Sequence, residues 1–404
     1  MFANKHPFLT AISLALGSAI ALGLARFSYG LLLPIMREDL EWSYLVAGTM
    51  NTANALGYFI GALSSPFMMR RMSVHQFFIV SAIVTGIFLF LSGCTDQTIW
   101  LFIYRVMAGI ASAWIFVAGG VLISQLGTIH AHQSGLMLGI FYAGPGLGIV
   151  LSSGVLPFFH EWGLKIQWNH SWQLSWYALA AVCFIFTVIL IKPVNSIPAI
   201  PPKQAGHSAT PLKSYLPLLA GYFMFGVGYI GYMTFVVALL KQLGLASITL
   251  NIFYAVLGLA VMGSSRLWAR MLDRYQGGQS LAILNTLLGV ASLIPALIAM
   301  YELPLTVLVM VSIFASGILF GAVFLSAVAS TTAFVKHNMP PSDWVGGITA
   351  FTSIFAAGQI IGPTIAGWIS DGQGGLAAGL LFSGLALLLG GLIATRQQAL
   401  RKPN

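Results

Sequence analysis

Residues 8–36, FLTAISLALGSAIALGLARFSYGLLLPIM, form an apolar run in which Arg26 is the one charged residue. An α-helix of about 20 apolar residues is long enough to cross the hydrocarbon core of a bilayer. Within such a helix an arginine costs about 2.5 to 3.5 kcal/mol on insertion scales, so it needs a partner inside the protein. The run therefore predicts a membrane-spanning helix and makes the partner of Arg26 the first functional question.

The rest of the chain has the same apolar character. Hydrophobic residues make up 58% of the 404 residues and charged residues only 7%, whereas about a quarter of the residues of a soluble domain are charged. A spanning β-strand needs only about 10 residues of alternating pattern, and these runs are longer and apolar on all sides. The sequence predicts an all-α integral membrane protein without a separate soluble domain. The twelve expected spans are residues 8–36, 43–67, 75–94, 98–126, 134–158, 172–191, 214–240, 247–270, 279–300, 304–335, 344–370 and 375–395.

The basic residues behind the formal net charge of +9 are unevenly distributed between the two sides of the predicted spans. In a soluble protein this charge would suggest a nucleic-acid partner, but in a membrane protein lysine and arginine mark the cytoplasmic loops. If the N-terminus is cytoplasmic, the loop residues on the outer side include only Arg37, Lys165 and Lys241 among the basic ones. We therefore expect both termini in the cytoplasm, a bacterial inner-membrane location, the lipid bilayer and a small molecule as partners, and no nucleic acid. The expected cytoplasmic set is Lys5, Arg70, Arg71, Lys192, Lys203, Lys213, Arg266, Arg270, Arg274, Lys336, Arg396, Arg401 and Lys402.

Residues 192–213, KPVNSIPAIPPKQAGHSATPLK, separate the sixth and seventh spans. The stretch is rich in proline and small polar residues and carries only positive charge, which is typical of a flexible linker. We predict an N-terminal six-helix half at residues 1–192, a cytoplasmic linker at residues 193–213 and a C-terminal six-helix half at residues 214–404.

The two halves contain similar short segments. YAGPGLG in the fifth span has Gly144-Pro145 in mid-helix, and GQIIGPTIAG in the eleventh has Gly362-Pro363 at the corresponding place. Proline interrupts the helical hydrogen-bond ladder and kinks a helix, so both pairs are candidate gating hinges. The alternative is ordinary packing, because glycine and proline are common in membrane helices. Six spans plus six with weak internal repetition are typical of a transporter that binds its substrate near the membrane midplane.

Two further motifs resemble the major facilitator superfamily, and the resemblance covers essentially the whole chain. LFIYRVMAGIASA resembles the fourth-span motif of that superfamily, with Arg105 and Gly109 on its arginine and glycine. GPGLG at residues 144–148 resembles its fifth-span motif, which is often seen in exporters. The resemblance implies the major facilitator fold, with two six-helix pseudo-repeats and a central cavity lined by the first and fourth spans.

The loop after the second span departs from the superfamily pattern. GALSSPFMMRR keeps the basic pair Arg70-Arg71 but has Ser65 where the superfamily usually has aspartate. In the second half Asp273-Arg274 retains an acid and a base, which makes this pair a candidate inner gate. LARFSYGLLLP and MNTANALGY further resemble the bacterial branch known as YbfB/YjiJ-type, which implies no particular substrate.

Arg26 and Arg105 are the two basic residues that no loop accommodates. Arg26 lies about ten residues before the outer end of the first span and Arg105 about seven after the outer start of the fourth, so at about 1.5 Å per residue both lie at similar depth. No aspartate or glutamate lies deep in any span. Arginine presents a planar fork of donors that fits a carboxylate or phosphate. Two readings stay open: each arginine binds an anionic substrate, or it donates to backbone carbonyls.

Other polar residues in the spans complete a candidate binding site. Asn51, Asn54 and Tyr58 follow a helical stripe in the second span, and Gln359 lies in the eleventh. Each of these is also explained as packing between helices. Together they predict a polar interior. The remaining candidates are Tyr222, Tyr229 and Tyr232 in the seventh span, Asn251 and Tyr254 in the eighth, and Thr352 in the eleventh, with Tyr229 included in the predicted substrate-binding set.

Catalytic and metal-site patterns are lacking in the sequence. Cys94 and Cys183 lie far apart, and the histidines of FFHEWGLKIQWNHSW, residues 158–172, show no compact ligand spacing, so that stretch indicates interfacial anchoring of an outer loop. We expect no metal, no cofactor, no enzymatic activity and a monomeric protein. The leading prediction is a secondary transporter of a small organic anion that works by alternating access. The alternatives are efflux of neutral or amphipathic drugs and a membrane sensor that does not transport.

Overall fold

The computed structural model describes residues 2–198, 211–340 and 343–400, and its architecture in these ranges is all α-helical, with no strand. Twelve long helices follow one another, as predicted. They are α1 (Pro7–Asp39), α2 (Tyr44–Met68), α3 (Val74–Gly93), α4 (Thr98–Ile129), α5 (Ser134–Lys165), α6 (Trp172–Asn195), α7 (Leu216–Gln242), α8 (Ser247–Leu267), α9 (Gln279–Met300), α10 (Val307–Asn338), α11 (Trp344–Ser370) and α12 (Gly375–Ala394). Short helices precede α1 at Phe2–Lys5, precede α7 at Leu212–Tyr215 and follow α8 at Ala269–Arg274.

Within the described ranges, eleven helices are long and apolar enough to cross a membrane. The twelfth long helix, α2, has 25 residues but is less apolar, because it contains polar residues such as Asn51 and Asn54. A helix whose polar side chains face other helices can still span, since the lipid meets only its outer face. Helix α5 runs to Lys165, so much of the stretch 158–172 is helix rather than loop.

Helices α1 and α7 lie at the centre of the bundle. In their apolar segments 78% and 89% of the residues are buried, against 61% or less in the other described spanning helices. Helix α1 is not a regular α-helix. Its middle part, Ala19–Phe27, has π-helical hydrogen bonding, with α-helix at Pro7–Ser18 and Tyr29–Asp39. Such wide turns are rare and often lie at functional sites, and this one carries Arg26.

The ends of the helices define two sides of the bundle. We call the side with the chain ends the terminal side: there Ala3 N donates to Ser196 Oγ (3.0 Å), and Gly278 N to Gln397 O (2.9 Å). The opposite side, with the loops α1–α2 and α11–α12, is the distal side. There the backbone N–H groups of Tyr44 and Leu45 donate to the Asp371 carboxylate.

The internal repeat is visible in how α1 and α5, and likewise α7 and α11, approach each other. A Cβ atom on Gly23 of α1 would lie 2.5 Å from Gly148 Cα of α5, and one on Gly226 of α7 would lie 2.6 Å from Phe355 O of α11. At both positions only glycine allows such close packing of helices. The same pairs of helices thus pack in the same way in the first six helices and in the last six.

The predicted linker at residues 193–213 lies only partly in the described structure, because residues 199–210 are outside the described ranges. Helix α6 continues past the predicted boundary to Asn195, with Pro193 in its last turn. After the linker the chain resumes at Pro211 and enters the short helix Leu212–Tyr215. The exact limits of the two halves therefore stay a prediction.

Candidate functional site

Arg105 of α4 is enclosed by protein acceptors. Its Nη1 donates to the backbone oxygen of Ala25 (2.7 Å), its Nε to that of Met50 (3.4 Å) and its Nη2 to Asn51 Oδ1 (3.2 Å). The guanidinium also lies over the ring of Tyr29, with 4.8 Å from Cζ to the ring centroid. These acceptors come from α1 and α2, so Arg105 joins three helices of the same half.

Arg26 of α1 is equally buried, with 2% of its surface exposed, but it has fewer partners. Its Nη2 donates to Gln359 Oε1 of α11, and its Cζ lies 5.5 Å from the ring centroid of Tyr58. Among the described residues, Arg26 Nε and Gln359 Nε2 have no hydrogen-bond partner although both atoms are buried. A buried donor without an acceptor is costly, so this pair has donors available for a ligand.

The charge of Arg26 has no counter-ion within the structure. All nine acidic residues of the chain lie within the described ranges, and each lies at a helix end or in a loop. Glu38, Asp39 and Asp96 form ion pairs with basic side chains, and all three lie on the distal side of the protein. Arg26 and Arg105 are close enough to repel each other electrostatically. The centre of the bundle therefore has positive charge that a bound anion would neutralise.

The two asparagines of α2 have different surroundings. Asn51 accepts from Arg105 and donates through Nδ2 to Thr234 Oγ1 of α7 (2.6 Å), which links the two halves. Asn54 Nδ2 donates to the backbone oxygen of Arg105 (3.2 Å). No described residue donates to the buried Asn54 Oδ1. The structure thus brings both asparagines to Arg105 rather than to Arg26.

Three tyrosines from three helices surround the Arg26–Gln359 pair. The Arg26 Cζ lies 5.5 Å from the ring centroid of Tyr58 of α2, and Tyr229 of α7 and Tyr142 of α5 lie near this pair. Their hydroxyl groups make no hydrogen bond to a described residue. Sequence reasoning overlooked Tyr142, although it is the first residue of the YAGPGLG segment in the fifth span.

The remaining polar candidates of the sequence divide between the site and ordinary packing. Tyr222 stacks on Phe225, which in turn stacks on Tyr229. Tyr232 instead shares a hydrogen bond with Ser316 Oγ (2.9 Å) and stacks on Phe320. Tyr254 donates to Phe27 O (2.5 Å), which ties α8 to α1. Thr352 donates to Ile348 O of its own helix, and no hydrogen bond is present for Asn251 in the described structure. Of these residues only Tyr222 adjoins the site.

The predicted hinge residues are packed closely in the structure. Pro145 cannot donate to Phe141 O, and Ser18 Oγ of α1 donates to that oxygen instead (2.5 Å). Gly144 contacts Ser18 and Ala15 of α1. Gly362 contacts the backbone of Val227 of α7, and the backbone oxygen of Pro363 contacts Gly48 of α2. Both pairs therefore serve packing in this conformation, and their role as hinges stays a prediction.

The predicted inner gate, Asp273-Arg274, lies in the short helix after α8. Both side chains are exposed, and in the described structure Asp273 has no ion pair. The Arg274 Cζ lies 5.8 Å from the ring centroid of the adjacent Tyr275. The structure thus shows no partner across the halves for this pair, and the gating role stays a prediction.

Contacts across the halves on the distal side were not anticipated from the sequence. The Asp371 carboxylate at the end of α11 accepts from Tyr44 N (2.7 Å) and Leu45 N (2.9 Å) at the start of α2. Lys241 Nζ of α7 donates to both carboxylate oxygens of Glu38 of α1 at 2.7 Å. Acidic groups at a helix N-terminus satisfy unpaired N–H groups and the helix dipole. Both contacts join the halves and must break if the halves separate here.

Groups of three or more potential metal-ligating residues are not found among the described residues. The arrangement most similar to such a group lies on the distal side, where His170 Nδ1 pairs with Asp39 Oδ2 at 2.6 Å. Trp172 Nε1 also donates to Asp39 Oδ2 (2.6 Å). This contact joins the end of α1 to the loop between α5 and α6. It is a structural link within the first half.

Comparison with known proteins agrees with this architecture. Residues 18–395 match the family described as "Uncharacterised MFS-type transporter YbfB". Two proteins of Agrobacterium vitis, each called "Putative tartrate transporter", are 25% and 24% identical to the chain over 415 residues. The alignments cover 92% of this chain and 85% and 88% of those proteins.

Solved structures show the same fold at low sequence identity. The crystal structure of the nucleoside transporter NupG superposes with a TM-score of 0.70 at 15% identity and covers 96% of this chain and 100% of that one. A bacterial homolog of the human lysosomal transporter Spinster, inward-facing and unoccupied, superposes with a TM-score of 0.69 at 15% identity and covers 96% and 95%. The chain has the major facilitator fold and belongs to the YbfB family of MFS-type membrane transporters.

Proposed function

We propose that the protein is a secondary transporter that moves a small organic anion across the bacterial inner membrane by alternating access, with Arg26 binding the negative charge of the substrate. The observation that carries the proposal is the state of Arg26: a buried guanidinium with an unpartnered Nε among the described residues and no carboxylate in contact. Arginine does not lose its proton in proteins. A bound anion is the simplest source of the missing counter-charge.

Arg105 has a different role in this proposal. Its donors are used by the backbone oxygens of Ala25 and Met50 and by Asn51, so it positions α1 against α2 and α4. It also raises the local positive potential, because it lies near Arg26. We therefore assign Arg26 and Gln359 to the substrate, with Tyr58 and Tyr229 around them, and Arg105, Asn51 and Asn54 to the support of the site.

Alternating access requires contacts across the halves that form and break. The Arg26–Gln359 hydrogen bond and the distal contacts of Asp371 and Lys241 are such contacts, since each joins one of the first six helices to one of the last six. The contacts of Asp371 and Lys241 lie at the distal ends of their helices. They support a state closed on the distal side, and we infer that the substrate leaves or enters this state from the terminal side.

The orientation of this state follows the charge distribution. Because lysine and arginine favour the cytoplasmic side, the terminal side is assigned to the cytoplasm. Reporter fusions at Lys203 and Arg401, which lie outside the described residues, should report the cytoplasm, and a fusion at Gly163 the outside. The reverse pattern would invert the proposed direction of opening. We expect a monomer without nucleic-acid partner, cofactor or catalytic activity.

Transport by purified protein in proteoliposomes tests the proposal. Because two relatives are named putative tartrate transporters, tartrate is the first anion to test, followed by a panel of monocarboxylates. The assay is counterflow, which needs no ion gradient. Arg26→Lys keeps the charge but loses the planar fork of donors, and Arg26→Gln loses the charge. Both variants should lower transport at least about tenfold, because hydrogen bonds to charged groups contribute about 1.5 to 3 kcal/mol. Normal anion transport by Arg26→Gln would contradict the anion role.

Drug efflux is the second candidate, and the aromatic side chains near Arg26 favour it. Competition separates the two: carboxylates should displace labelled substrate in the anion transporter, and hydrophobic cations should do so in an efflux pump. Binding without any counterflow would instead indicate a sensor. Each result requires a well-folded protein, which size-exclusion chromatography in detergent checks.

Energy coupling follows from the absence of an acid near Arg26 among the described residues. Acidic residues within membrane spans usually mark proton relays. In this protein the acidic residues lie at helix ends or in loops. We therefore expect any proton to travel on the substrate or on a boundary acid, so that uptake follows the pKa of the substrate itself. Counterflow at several pH values with Glu38, Asp39, Asp96 and Asp273 neutralised in turn checks this. Proton-driven expulsion of cationic dyes that one of these changes abolishes would establish efflux instead.

A further inference from the structure

The charge and the walls of the central site together restrict the kind of anion. The site around Arg26 holds one guanidinium whose donors are incompletely used, because those of Arg105 are bound to Ala25, Met50 and Asn51. The other lysine and arginine residues that the structure describes lie in short helices, at helix ends or in loops. A second carboxylate in the same site would find the donors of Arg105 already bound to protein acceptors, and a buried carboxylate without hydrogen bonds is strongly unfavourable. The site therefore offers free guanidinium donors to one carboxylate.

Aromatic rings connect Arg26 to Gln359 around the site. Phe27, next to Arg26, contacts Phe324 edge-on with ring centroids 5.5 Å apart. Phe324 stacks with Tyr229 at 5.3 Å, and Tyr229 stacks with Phe355 at 5.5 Å. Phe355 lies one helical turn before Gln359 on α11, so the chain of rings ends beside the amide that binds Arg26.

The parallel stacking continues away from the charge. Phe355 stacks on Phe225 at 5.3 Å with 9° between the ring planes, and on Tyr222 at 5.0 Å. Flat aromatic faces bind flat apolar groups by offset stacking and by burial of apolar surface. Phe355 is only partly buried, and on α11 it precedes Gln359 by one helical turn. A planar ring on a substrate would find stacking partners directly next to its carboxylate.

From this arrangement we propose that the substrate is an aromatic monocarboxylate, whose carboxylate binds Arg26 and Gln359 and whose ring lies against Phe355 and Tyr229. The proposal rests on the proposed anion transport and names its substrate class. The hydroxyl groups of Tyr58, Tyr142 and Tyr229, which have no hydrogen bond to a described residue, can bind a polar substituent on the ring. A hydrophilic dicarboxylate such as tartrate fits less well, because its second charge would face aromatic carbon.

Thermal-shift titration and counterflow with chosen probes test the proposal at pH 7.5. Benzoate is the aromatic monoanion, terephthalate the aromatic dianion, tartrate the hydrophilic dianion and benzamide the neutral analogue. We expect benzoate to raise the melting temperature and to exchange in counterflow, and the other three to bind at least about tenfold more weakly, because each lacks the charge match or the ring. Arg26→Gln should weaken benzoate about tenfold or more, as expected for a charge-assisted hydrogen bond.

Matched variants test whether the ring of Phe355 contributes to benzoate binding. Phe355→Leu removes stacking and should weaken benzoate by about two- to tenfold, the range expected for one aromatic pair. Phe355→Tyr keeps the ring and should stay near the wild type. Phe253→Leu is the control, because Phe253 is a buried aromatic of α8 that contacts Phe314 rather than the central rings. If Phe253→Leu weakened benzoate as much as Phe355→Leu, the ring contact would be refuted.

The outcomes separate this inference from the proposed function. If tartrate binds more tightly than benzoate and Arg26→Gln abolishes its binding, the transporter carries an anion but the aromatic monocarboxylate is wrong. If no carboxylate binds in an Arg26-dependent way, the proposed function itself fails. If benzamide binds as tightly as benzoate, the ring is recognised without the charge, which overturns the proposal and favours efflux of neutral compounds.

Discussion

Arg105 and Arg26 lie at similar depth and are equally buried, yet their surroundings differ. Arg105 donates to three acceptors of its own half, from α1 and α2. Arg26 reaches across to Gln359 of the other half, and its Nε has no partner among the described residues. Contacts within one half can persist when the halves move, whereas contacts between them must break. The difference is the reason why we propose a structural role for Arg105 and a substrate-binding role for Arg26.

The distal side shows the same distinction. Asp39 pairs with His170 and Trp172 within the first half, whereas Asp371 binds the N-terminus of α2 across the halves. Four changes follow from this comparison, beginning with the one that has the largest expected effect on stability.

Arg105→Ala should have the largest effect on stability. It leaves two backbone oxygens and Asn51 without their donor in a buried place, and unsatisfied buried groups cost about 1 to 3 kcal/mol each. We expect a loss of about 3 to 5 kcal/mol in the free energy of unfolding, visible as a lower melting temperature in detergent and poorer expression. Wild-type stability for Arg105→Ala would show that its hydrogen bonds are dispensable and would remove the contrast with Arg26.

Arg26→Leu should leave stability within about 1 kcal/mol of the wild type or raise it, because it removes a buried charge that has no carboxylate partner. The measurement is the same melting curve, in buffer without carboxylates. Added benzoate should then stabilise the wild type but not the variant. A loss of stability as large as that of Arg105→Ala would make Arg26 a structural residue as well.

Asn51→Ala should cost about 1 to 2 kcal/mol, because Asn51 is the acceptor of Arg105 and the donor to Thr234. A double-mutant cycle gives a sharper result. The effects of Asn51→Ala and Arg105→Ala should be less than additive, since the two side chains share a hydrogen bond, whereas those of Asn51→Ala and Arg26→Leu should add. Strong coupling of Asn51 to Arg26 would mean that the two arginines act as one site.

Asp371→Asn should have a small effect on stability, about 1 kcal/mol, the usual range for a helix N-terminal cap. Its main effect should be conformational, because the contact joins the halves. Spin labels at Glu41→Cys and Gln373→Cys, in a Cys94→Ser background, should show a larger population at long distance on the distal side.

Asp39→Asn is the matched control for Asp371→Asn, since its contacts lie within one half. It should leave the distance between the two labels unchanged. An equal change in both variants would mean that the Asp371 contact does not hold the halves together.

The residues that sequence analysis selected for the site are close together in the structure, but their relative roles could not be derived. The depth estimate placed Arg26 beside Arg105, and in the structure Arg105 Nη1 donates to the backbone oxygen of Ala25, the residue before Arg26. Sequence could not show that Arg105 is saturated, because its acceptors are backbone oxygens, and every residue has one. Gln359 was a candidate, but its contact with Arg26 joins positions far apart in the chain. Tyr142 and Asp371 were missed because their importance depends on which helix each faces.

The sequence by itself determined that the protein is helical, spans a membrane twelve times and has charge concentrated on one side, because the length and hydropathy of each segment decide whether lipid can replace water around it. Only the tertiary structure showed that Arg105 is enclosed by protein acceptors and that Arg26 Nε has no partner among the described residues. This difference depends on the π-helical turn of α1 and on the packing of α2, α4 and α11 around it. Hydrogen bonds between helices form or fail with differences of a few tenths of an ångström in the donor–acceptor distance, and a sequence pattern does not predict such distances.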